Sequence, residues 1–230
     1  MLDKVIATAV KLWLRSQVET VEDLQINLVG GDRQLLKGYL PSLSLASNRS
    51  IYKGLHFRQT ALKASNIRFN LSEVLKGKSL KLLEPILVMI TISLTAEDLQ
   101  ASLASSLLSS GLNDFCKNLI FLSENTTNRT SSIPILFNWD TINFSESKLF
   151  LRGMFANESD STIKIEIVTD LQLANSHTLL LSPIEIITDP QLSISSVERW
   201  EIDLGDLVSI DELFITSEGL FCSGQIQITG

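Results

Sequence analysis

The chain has 230 residues, of which 44% are hydrophobic and 20% charged, and its mean hydropathy is +0.21, enough apolar material for a sizeable core. No stretch reaches the roughly 18 to 20 apolar residues of a membrane-crossing helix; the longest, Leu82 to Leu94, is broken by Glu84, Pro85, Thr91 and Ser93. The net charge is −7, and the cations are not interleaved with aromatic residues, which argues against nucleic acid as a partner.

The charge is unevenly divided along the chain. Residues 1–90 hold 13 Lys/Arg against 7 Asp/Glu, a net of +6, whereas residues 91–230 hold 6 against 19, a net of −13. Residues 2–17 have helical spacing: Leu2, Val5, Ile6, Ala9, Leu12, Trp13 and Ser16 form one face, with Lys4, Thr8, Lys11 and Arg15 opposite. Such a helix either packs on its own core with a solvated charged face or lies on an anionic membrane surface, with Lys4, Lys11, Trp13 and Arg15 at the interface. Asp3, Lys4, Lys11 and Arg15 interrupt any signal-peptide apolar region, so the expected placement is cytoplasmic, at the periphery of a membrane where it meets one.

Strands follow. Leu24, Ile26 and Leu28 alternate with polar residues, and Gly30-Gly31-Asp32 reads as a turn. Leu43 and Leu45, then Leu55 and Phe57, then Ile67, Phe69 and Leu71 continue the alternation as separate segments suited to antiparallel pairing. In residues 85–94 one face is wholly aliphatic: Ile86, Val88, Ile90, Ile92 and Leu94. Thr95 to Asp98 then resembles a capping box. Leu99, Leu103 and Leu107 recur every fourth residue, predicting a helix over 96–110 that ends at Gly111. The strand face and this stripe are the candidate walls of an apolar binding site. Residues 123–132 (SENTTNRTSS) read as a mobile loop. Beyond them, strands are expected at 133–139, 148–155, 163–173, 178–188 with Pro183 as a break, 200–204, 213–217 and 221–228, the last two joined at Glu218-Gly219.

Residues suited to catalysis are sparse. His56 and His177 are the only histidines, and neither stands in a metal-ligating spacing. Cys116 and Cys222 do not form a disulfide framework and read as small buried hydrophobes. The acids Glu198, Glu201, Asp203, Asp206, Asp211 and Glu212 read as a solvated face. Nucleotide-binding loops and nucleophile elbows are both missing. The expectation is a non-enzyme that needs no cofactor.

Several stretches carry a family likeness: Leu35 to Gly38 running into Tyr39-Leu40-Pro41-Ser42-Leu43-Ser44-Leu45; Ile67 to Asn70 with Val74-Leu75-Lys76-Gly77; the long strand feeding Leu94 to Leu99; and Asp203 to Asp206, Ile210 to Leu213 and Gly224 to Ile226 near the end. Together they resemble the LmeA-like phospholipid-binding family over nearly the whole chain, read as one domain, 1–230. The resemblance implies an α+β, β-dominated fold in which a long curved antiparallel sheet wraps one or two helices, similar to tubular lipid-binding domains. It implies a phospholipid or other apolar ligand, held without catalysis by a lipid carrier or membrane-peripheral factor. The alternative is a membrane-associated assembly factor that encloses no lipid.

Overall fold

A computed structural model describes residues 6, 8, 12, 19–123, 137–145, 147–156, 162–188 and 197–229, the side chains of 120–123 excepted. It is an α+β, β-dominated structure with two antiparallel sheets, as the alternation of apolar and polar residues predicts. The first sheet begins with β1 (Thr20–Val29), β2 (Tyr39–Tyr52), β3 (Leu55–Arg68) and β4 (Ile86–Leu94). Two four-residue helices, α1 (Asp32–Leu35) and α2 (Leu71–Val74), link β1 to β2 and β3 to β4. After β4 come α3 (Ala96–Ser102) and α4 (Ser106–Ser123). The second sheet is β5 (Phe137–Ser145), β6 (Lys148–Ala156), β7 (Thr162–Asn175), β8 (Thr178–Thr188) and β9 (Trp200–Asp203) in chain order. The chain then returns to the first sheet with β10 (Val208–Thr216) and β11 (Gly219–Ile228), giving the order β1-β2-β3-β4-β11-β10.

Several boundaries differ from the sequence reading, each for a local reason. Gly31 leads into α1 where a simple turn was expected, and its N–H donates to the Gln34 side chain. The segments around Leu55 and Ile67 are one 14-residue strand, because β2 pairs with it from Leu55 to Arg68; its middle alternation, Thr60, Leu62 and Ala64, is one residue out of step with Leu55, Phe57 and Ile67, and Leu71 leaves it for α2. The helix expected over 96–110 divides. Thr95 caps α3 as predicted, accepting from Asp98 N–H while the Asp98 carboxylate accepts from Thr95 N–H. Ser105 then caps a second helix by accepting from Leu108 N–H. That helix runs through Gly111 to Ser123, because Leu112, Phe115, Cys116 and Leu119 extend the apolar stripe and outweigh a glycine cost of about 1 kcal/mol. Residues 124–132 of the expected loop, and 133–136 of the strand expected next, lie outside the described residues. β8 runs through Pro183, which falls in a register shift where no ladder donor is needed. The last hairpin turns on Ser217 and Glu218, since Thr216 pairs with Gly219.

Two apolar clusters form the core. One lies between α4 and the inner face of the second sheet, where Ile142, Leu151, Phe155, Ile163, Ile165, Ile167, Leu181 and Ile184 meet Leu112, Phe115, Cys116 and Leu119. The other lies at one end of the first sheet, around Leu35, Leu40, Leu45, Ile67, Phe69, Ile86 and Val88, with Ile6 buried among them. Helix α3 ties the sheets together. Ser102 Oγ accepts from His56 N–H at 2.9 Å, and the Gln100 side chain both donates to Asp140 O and accepts from Ile142 N–H on β5.

Candidate functional site on the first sheet

Strand β4 sits in the interior of its sheet, paired without a register break to β3 and β11. Because antiparallel partners share a face, the register builds continuous apolar rows. One row runs Leu28, Leu43, Ala64, Val88, Ile226 and Val208; the next runs Ile26, Leu45, Leu62, Ile90, Gly224 and Ile210. Beyond them, Ile92 lies between Thr60 and Cys222, with Leu213 further across. Gly224 is required here: a Cβ would stand 2.3 Å from Ser209 O and 2.8 Å from Ile210 Cα, so only glycine lets β10 close on β11 at its bulge.

Burial along this face is graded. Ile86 is 8% and Val88 4% exposed, while Ile90, Ile92 and Leu94 are only half-buried. Leu62, Leu43, Ile26, Leu28, Ile226, Ile210 and Leu213 are likewise half-buried. Among the described residues, the first sheet therefore presents an aliphatic face whose cover is fullest around Ile86 and Val88 and thins from Ile90 onward. Cys222 lies within it, its thiol pushed above the ordinary range by burial. Cys116, in the other cluster, is driven higher still by fuller desolvation.

The two halves of the predicted site belong to different clusters. Ile86 and Val88 are core residues of the first sheet, and Ile90 and Ile92 extend the same face. Leu99 and Leu103 pack instead against the cluster of the second sheet, and Leu107 is 49% exposed. The break between α3 and α4 separates Leu107 from the other two. The face contributed by Leu62, Ile26, Ile210 and Leu213 was not legible in the sequence: each stands in its own alternating segment, and only the strand order makes them neighbours. Lys4, Lys11, Trp13 and Arg15 lie outside the described residues, although Ile6, from the same segment, is buried in the first cluster.

The surface carries other depressions. One of about 640 Å³ between α3, β5 and β6 is lined by Ala96, Ala101, Ile142 and Phe150 together with the polar Glu97, Gln100, Asn143 and Arg152. Another, of about 600 Å³ and bordered by Gln25, Asn27, Ser44 and Lys63, lies over the polar side of the first sheet. His177 is a tether, its Nδ1 bonded to Val208 O. Glu201 pairs with Arg199, and Glu212 accepts from Ser223. Among the described residues, no group of three His, Cys, Asp or Glu could hold a metal, and no helix is long and apolar enough to cross a membrane.

Comparison with known proteins adds one finding: the profile of a family described as LmeA-like phospholipid-binding matches residues 1–225. No curated protein and no solved structure matches the chain.

Proposed function

We propose that this chain, which belongs to the LmeA-like phospholipid-binding family, holds a phospholipid by laying acyl chain along the half-covered face of its first sheet, and acts by binding, without catalysis. The observation that carries the reading is the burial gradient along β4. Apolar surface left half-covered in a folded chain calls for a further occupant, and here Ile90 lies between Leu62 and Gly224 while Ile92 lies between Thr60 and Cys222, with no charged residue in either row. The length of this part suits the ligand. From Ile90 to Leu94 a strand rises about 14 Å, and one leaflet of a bilayer core is roughly 15 Å thick. Among the described residues, the inner face of the second sheet is covered by α4. In this reading the protein works at the periphery of a membrane, where Lys4, Lys11, Trp13 and Arg15 are one candidate contact.

Native mass spectrometry of protein purified from cells tests the proposal. The expected result is a co-purified phospholipid, lost in the double variant Ile90→Ser/Ile92→Ser and in Ile92→Trp, which fills the space without adding charge. A lipid-free mass for the unaltered chain, or lipid retained in both variants, would contradict it.

A further inference from the structure

The end of the first sheet opposite Leu94 carries a sequence pattern twice. At α1 the chain reads Leu35-Leu36-Lys37-Gly38, and at α2 it reads Val74-Leu75-Lys76-Gly77. In both, the first residue is buried, the second is an exposed leucine, the lysine is exposed, and the glycine takes a left-handed φ, +68° and +79°. The two turns adjoin: Gly38 O accepts from Phe69 N–H, and a Cβ on Gly38 would stand 3.7 Å from Leu71 Cβ. Folding could have hidden Leu36 and Leu75, yet they are 61% and 54% exposed. Val29, Leu83 and Leu87, at the same end, are exposed as well.

The charge around these leucines has one sign. Six cations stand within residues 30–38 and 68–87 against three acids, Asp32, Glu73 and Glu84. Glu73 pairs with Lys78, and Glu84 with Arg68. Arg33, Lys37, Lys76 and Lys81 are exposed and have no ion-pair partner among the described residues. A protein interface concentrates its apolar residues and is depleted of charge at its centre. Here single leucines alternate with lysines on two projecting turns. That arrangement fits the bilayer interface, where leucine enters the acyl boundary while lysine reaches the headgroups.

We infer that this end of the first sheet, through Leu36, Leu75 and the cations around them, docks on the surface of an anionic lipid bilayer. The contact goes beyond lipid holding and is separate from it, because the buried cluster of Leu35, Ile67 and Ile86 lies between this end and the half-covered face. Co-flotation with vesicles of equal parts phosphatidylglycerol and phosphatidylcholine, against pure phosphatidylcholine, tests it on the full chain. Binding is expected to the anionic vesicles alone and to fade as salt shortens the screening length to roughly 3 Å. Lys37→Gln/Lys76→Gln should weaken it about thirtyfold. Leu36→Ser/Leu75→Ser should weaken it at least tenfold, with circular dichroism unchanged because both leucines are exposed. Lipid content by native mass spectrometry should be that of the unaltered chain in both variants, so loss of docking and loss of lipid holding are read separately. Equal binding to neutral vesicles would overturn the inference. So would unchanged binding in both variants, loss only on Lys4→Glu/Lys11→Glu/Arg15→Glu, or a dimer that these leucine substitutions convert to monomer.

Discussion

The two sheets are built from the same kinds of residue, yet their inner faces end up in different states. In the second, isoleucine, leucine and phenylalanine side chains from β5 to β8 meet the 18-residue helix α4, and Ile184 reaches 0% exposure. In the first, an equally aliphatic face is buried around Ile86 and Val88 and left half-covered from Ile90 onward. A closed core is a source of stability. A half-covered aliphatic face in an otherwise folded chain leaves apolar surface to be covered, and the proposed function takes this face of the first sheet as the place where lipid binds.

Truncation at matched isoleucines should sharpen that contrast most. Ile167→Ala, in the filled core, is expected to cost about 2–5 kcal/mol. Ile92→Ala, on the less covered face, should cost less than Ile167→Ala, since its side chain is less deeply buried. Urea denaturation of both in lipid-free protein measures the difference, and equal costs would mean the first face is as closed as the second. A smaller effect is expected where the sheets are joined. Thr95→Ala removes the cap of α3 and should lower stability by about 1 kcal/mol, read as a shifted midpoint with unchanged slope. Smallest is a difference in thiol chemistry. Cys116, desolvated in the filled core, should resist iodoacetamide in the native state. Cys222 beside Ile92 should react slowly without lipid and more slowly with it. Alkylation followed by intact mass checks both, and lipid-independent labelling of Cys222 would place the ligand elsewhere.

Much of the fold was legible in the sequence because its signals are local. Alternation over 86–94 marks β4, and Thr95 with Asp98 marks the start of α3. The strand order was not legible. That β11 returns to pair beside β4, bringing β10 with it, depends on contacts between residues more than a hundred positions apart, and no local pattern encodes them. The candidate site shows the same division. Its β4 residues are a period-two pattern in a single segment. Their neighbours Leu62, Ile210 and Leu213 come from two other strands, β3 and β10. The stripe Leu99, Leu103 and Leu107 misled because Ser105 supplies a new helix start inside it, so the two helices that share it do not share a face.

The most direct test uses a phospholipid carrying a photoactivatable group on its acyl chain, loaded into the protein, irradiated, and mapped to individual residues by mass spectrometry. Adducts are expected on Ile90, Ile92, Leu62 and Leu213, on the inner face of the first sheet. Adducts confined to Ile167 and Leu151 in the second sheet, or to Ala61 and Thr91 on the opposite side of the first, would contradict the account.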